Sequence, residues 1–111
     1  MLFRSKDIIS PNAQREVTSD LIIQIVSDHY GLTPLDISSQ KRNKEIVYPR
    51  QIVMYLCRNM TDTPLQTIGR YLGGRDHTTI IHGSEKIAGD IKKDDTLKNT
   101  IEILKKKINP Q

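Results

Sequence analysis

Apolar residues recur along this chain at helical spacing, and no segment alternates as a strand requires. Leu21, Ile22, Ile25 and Val26 fall on one helical face, opened by a cap at Thr18 or Ser19 and closed at Gly31. Thr33-Pro34 restarts the chain with a cap and a first-turn proline, predicting a short helix through about Ile37. Ser38 to Lys44 is polar and basic and reads as an exposed loop. A longer helix is expected from about Glu45 to Met60, with Ile52, Val53, Leu56, Cys57 and Met60 inward. Pro49 must then lie near its first turn, because a proline deeper in a helix costs about 3 kcal/mol. Thr63-Pro64 repeats the cap-and-proline signal and opens a helix with Leu65, Ile68 and Leu72 inward. Gly73-Gly74 ends it, Asp76 caps the next, and Ile80, Ser84, Ile87 and Ile91 then share one side. Lys92-Lys93-Asp94-Asp95 breaks that pattern before a last amphipathic helix carrying Leu97, Ile101, Leu104 and Ile108. The expected fold class is all-α.

Composition narrows this only a little. At 111 residues the chain suits one small helical domain, over 18–111, preceded by a linker and short helix in 1–17. A formal charge of +4 favours an anionic partner only if the charge is clustered. Cys57 stands alone, which excludes an internal disulfide and agrees with a reducing compartment. No apolar stretch approaches the roughly 20 residues of a membrane span. The N-terminus is too early broken by charge for a signal peptide, and the expected location is the cytoplasm.

The clustered chemistry lies at Gly73 to Ile87, the run GGRDHTTIIHGSEKI. Two helices joined by a tight glycine turn, the second polar at its start, follow the plan of a helix-turn-helix. On an ideal wheel, Arg75, Thr78, Thr79, His82 and Lys86 face away from Ile80, Ser84 and Ile87, while His77 falls toward the core. Threonine, histidine and aspartate can all hydrogen-bond base edges, and the free amides of a helix start favour a phosphate. The bland alternative is an ordinary capped surface helix. A second cluster lies upstream, where Gln40 to Arg50 holds four basic residues against one acidic. Alone it would be a solvated surface. Beside a helix-turn-helix it becomes a candidate minor-groove arm, with Arg50 and Arg58 two turns apart to flank a phosphate strand.

GGRDHTTIIHGSEKI, with KRNKEIVYPRQIVMYL and MTDTPLQTIGRYL before it, resembles the C-terminal origin-binding domain of the bacterial DnaA initiators. The likeness covers about Val17 to Ala88. It implies a small, Trp-repressor-like helical bundle that binds double-stranded DNA at the short origin repeats called DnaA boxes. By the same resemblance, Arg42 matches the loop arginine of the minor groove, and Lys44, Arg50 and Arg58 match basic positions at the backbone. Asp76, His77 and Thr78 match the major-groove readers, Arg75 and Thr79 match phosphate contacts, and Leu65 and Gln66 begin a helix that also approaches backbone. Gln66 stands where such domains often have proline, and Tyr48 where they often have a basic residue. A complete initiator carries an ATP-binding AAA+ module, yet no G-x-x-x-x-G-K-[ST] loop is present. ATP is therefore expected only for that module, no cofactor or metal for this chain, and a monomeric fragment or truncated initiator is the expectation. Lys6 to Pro11 reads as the end of the linker between the two parts.

Other classes fit less well. His77 and His82 are five apart, about 140° around a helix, unlike the i, i+4 pair of metal sites. His29 sits at a helix end as a surface residue, and Cys57 reads as a small buried hydrophobe, so an enzyme is not expected. A protein-interaction module would use the Ile and Leu stripe of the last helix, whose spacing is ordinary core spacing. A stand-alone DnaA-box competitor or a transposition-associated protein would keep the DNA-binding chemistry and change only its setting.

Overall fold

The structure, a computed structural model, describes residues 17–110, so the expected linker and short helix before Val17 lie outside the described residues. Six helices and no strands are found there, in the order α1 (Ser19–Tyr30), α2 (Pro34–Ser38), α3 (Lys44–Met60), α4 (Leu65–Tyr71), α5 (His77–Lys93) and α6 (Asp95–Ile108). Local chemistry sets most of their ends. The Thr18 hydroxyl accepts from the Leu21 amide, and Gly31, at φ 69°, closes α1 with its N–H on the carbonyls of Asp28 and Ser27. Thr33 and Asp36 form a reciprocal capping box around Pro34. Asp94 ends α5 and caps α6, accepting from the amides of Thr96 and Leu97.

Pro49, expected near the first turn of its helix, is the sixth residue of α3, just past that turn, and is buried there. Its ring leaves the Glu45 carbonyl without a helical donor, near enough to the helix start for the helix to run on to Met60. Thr63 does not cap α4. Pro64 occupies the cap position without a side-chain bond, and the Thr63 hydroxyl accepts from Thr61 at 2.8 Å instead.

Packing follows the apolar stripes. α3 lies centrally, with α1 and α2 on it and α5 across it, while α6 closes against α1 and α5. Ile22, Val26, Ile52, Leu56, Ile80, Ile87, Leu104 and Ile108 are fully buried in one core. The α3–α5 crossing is close at Gly83, where an added Cβ would lie 2.2 Å from the Met54 sulfur. This crossing holds α5 with its first turn pointing outward.

Candidate nucleic-acid interface

The turn before α5 is built by backbone as much as by side chains. Gly73 and Gly74 both take positive φ, 82° and 84°, which side-chain-bearing residues rarely adopt. The Gly69 carbonyl accepts from the amides of Gly74 at 2.9 Å and Arg75 at 3.0 Å, closing the reversal. A Cβ on Gly69 would lie 1.9 Å from the Arg75 carbonyl oxygen, so α4 and the turn meet there backbone to backbone.

Asp76 caps α5 as expected, accepting from the Thr79 amide at 2.9 Å. That amide, followed by the Thr79 hydroxyl, holds the Asp76 carboxyl below the usual range, so it stays ionised at the helix start. His77, Thr78 and Thr79 are exposed in the first turn, with His82 and Lys86 exposed further along. The wheel's placement of His77 toward the core fails. It is the first residue of α5, where the helix has not yet met α3, and its exposure matches the resemblance instead.

The basic loop adjoins this turn, its start touching Gly73 and Arg75 through Ser38, Ser39 and Gln40. Arg42 and Lys44 are exposed, the latter as the first residue of α3, whereas Lys41 pairs with Asp36 at 3.3 Å. Arg50 departs from its expected place at a phosphate strand. It is only 4% exposed, and its guanidinium donates to the carbonyls of Ile37 at 2.7 Å, Ser39 at 2.9 Å and Asp36 at 3.4 Å. Burial, and then the nearby Arg75 charge, lower its pKa. Arg50 therefore builds the loop from beneath. Arg58, two turns on, remains exposed and donates to the Ser84 hydroxyl at 2.7 Å, so the two arginines do not form one pair of flanking charges.

Arg75 is half-buried, donating to the Leu72 carbonyl and, at 2.8 Å, to the Ser39 carbonyl. Gln40 adds a contact from its side-chain amide to the Gly73 carbonyl at 3.4 Å. Sequence reading missed Ser39 and Gln40, since nothing in their types marks them, and only the fold brings their groups to the turn. A groove between α3 and α5 is lined by Arg50, Gln51, Arg75, Thr79, His82 and Lys86. Tyr48 beside it donates to Asp90 at 3.4 Å, and burial with the Asp90 charge pushes its pKa up to about 12. At the foot of α4, Gln66 is exposed and Leu65 packs partly against the core.

The remaining reactive side chains lie apart from this face. Cys57 is buried, its thiol pushed up to about 11 by burial. His29 is exposed beside Lys107 at 3.4 Å, and burial followed by that cation lowers its pKa. Among the described residues no helix is long and apolar enough to cross a membrane.

A short helix, a double-glycine turn and a second helix with a polar, exposed first turn define a helix-turn-helix domain. The chain belongs to the bacterial DnaA helix-turn-helix family, whose model, "Bacterial dnaA protein helix-turn-helix", matches residues 19–87. It is 51% identical, over 95% of its length, to the chromosomal replication initiator protein DnaA of Lachnoclostridium phytofermentans, of which it covers 23%. Among solved structures it resembles a DNA replication initiation factor at 33% identity and TM-score 0.71, covering 81% of this chain and 28% of that one. AMPPCP-bound DnaA from Aquifex aeolicus is similar at 32% identity and TM-score 0.68, with 81% and 26% covered. The chain thus spans about a quarter of the length of these relatives.

Proposed function

We propose that this domain binds double-stranded DNA sequence-specifically at DnaA boxes and supplies the address-reading step of replication initiation. The observation that carries this reading is the shared face of two exposed elements. The first turn of α5 presents His77, Thr78 and Thr79, and the loop before α3 presents Arg42 and Lys44. In this reading Asp76, His77 and Thr78 meet base edges in the major groove while Arg42 enters the adjacent minor groove. Lys44, Arg58 and Thr79 meet phosphates, as do the residues at the start of α4, Leu65 and Gln66. The domain acts as a monomer, takes no cofactor or metal, and catalyses nothing itself. ATP would belong to the AAA+ module of a full-length initiator.

Fluorescence anisotropy with a box duplex and a scrambled duplex in moderate salt tests this. The box should bind at least about tenfold more tightly, since each good base contact is worth about 1–3 kcal/mol. Equal affinity for the two would overturn the specific reading.

A further inference from the structure

We infer that Arg75 is a positioning residue: its guanidinium clasps the basic loop to the helix-turn-helix and fixes how Arg42 stands relative to the readers on α5. The functional half of this inference rests on the DNA-binding reading above. Its structural half does not.

The clasp is made of bonds between segments far apart in sequence. From within the turn, Arg75 forks to the Leu72 carbonyl on its own side and to the Ser39 carbonyl of the loop at 2.8 Å. Arg50 reaches the same Ser39 oxygen from α3 at 2.9 Å. Two guanidiniums thus converge on one carbonyl, although like charges repel, and among the described residues neither is ion-paired to a carboxylate. Charge pairing cannot be what places them there. What the pair achieves is geometric, because a planar fork binds two acceptors in fixed directions where an ammonium cannot.

Two further contacts lie at the same junction. Gln40 donates to the Gly73 carbonyl, and a Cβ on Gly73 would lie 2.2 Å from the Ser38 carbonyl oxygen, so loop and turn touch along their backbones. Ser39 precedes Arg42 by only three residues. An error of about 1 Å at this joint would therefore carry straight to the arm. Five N–H donors let Arg75 keep both carbonyl bonds while a phosphate accepts from the rest. The clasp adds to the phosphate role implied by resemblance and does not exclude it.

The charge-preserving variant Arg75→Lys separates a clasp from a plain phosphate contact. Backbone amide NMR relaxation of the DNA-free chain reads the structural half. Arg75→Lys and Arg75→Ala should both lower the order parameters of Gln40 to Lys44 to below about 0.6 while those of Ile80 to Ile87 stay near about 0.85. A box-duplex titration reads the functional half. There Arg75→Lys should lose nearly as much affinity as Arg75→Ala. Adding Arg42→Ala to either should cost at least about threefold less than in wild type, the non-additivity of coupled residues. Wild-type loop order parameters in Arg75→Lys, or losses that simply multiply, would overturn the inference. If Arg75→Ala does not fold, Arg75→Lys alone decides. If the wild type binds no duplex specifically, the DNA reading falls, and the relaxation experiment still decides the clasp.

Discussion

Where α3 crosses α5, Gly83 faces the flexible side chains of Met54 and Gln51; where the turn meets the basic loop, Gly69 and Gly73 face backbone carbonyls, and guanidiniums complete the joint. Both are close approaches made at a glycine. The crossing can adjust, because a thioether side chain has several rotatable bonds. The junction cannot, because the atoms an added Cβ would meet belong to the main chain. The domain thus combines a forgiving core with an exacting joint beneath its exposed face.

Removing core volume should have the largest effect. Ile80→Ala or Leu56→Ala, both fully buried, should lower stability by about 2–5 kcal/mol in urea unfolding. A loss below about 1 kcal/mol would mean that the core is looser than its burial implies. Gly69→Ala comes next, at about 1–3 kcal/mol, because the new methyl would meet the Arg75 carbonyl. Arg50→Ala should cost about 1–3 kcal/mol by leaving the Ile37 carbonyl unpartnered and the Ser39 carbonyl to Arg75 alone. A salt-slope change in DNA binding with unaltered stability would return Arg50 to the phosphate role. Gly83→Ala should fall within about 1 kcal/mol of wild type, since the helix gains propensity as Met54 shifts. A penalty equal to that of Gly69→Ala would erase the contrast between the two regions.

The smallest effect concerns pH. The Asp76 carboxyl is held below its ordinary range by the Thr79 amide, so its pKa is lower in the folded chain than in the unfolded one. Its contribution is present above the unfolded value and is lost as pH falls through the folded one. Urea midpoints measured at decreasing pH should fall less for Asp76→Asn than for wild type. Parallel curves would deny the cap this part.

The core was legible because periodicity reports burial directly: Ile22, Val26, Leu56, Ile80, Ile87 and Leu104 lie inside as their spacing predicts. The caps at Thr18, Thr33 and Asp76 were legible because each donor lies within three residues of its acceptor. Part of what escaped depends on distance along the chain. Arg50 is a basic residue on a helix until the carbonyls of Ile37 and Ser39 are folded against it. Thr63 had the composition of a cap, but a neighbouring hydroxyl took its oxygen. His77 fell on the core side of an ideal wheel although Asp76 was read as the cap, because a wheel takes no account of a first-turn residue lying outside the packed part of its helix.

The most direct measurement is an amide NMR map of the chain titrated with a box duplex. Signals from Gln40 to Lys44 and from Asp76 to Thr79 should shift together at the same DNA concentrations. Perturbation centred on the basic end of α6, at Lys105 to Lys107, with both of those segments unmoved, would contradict a two-armed face formed by the loop and the start of α5.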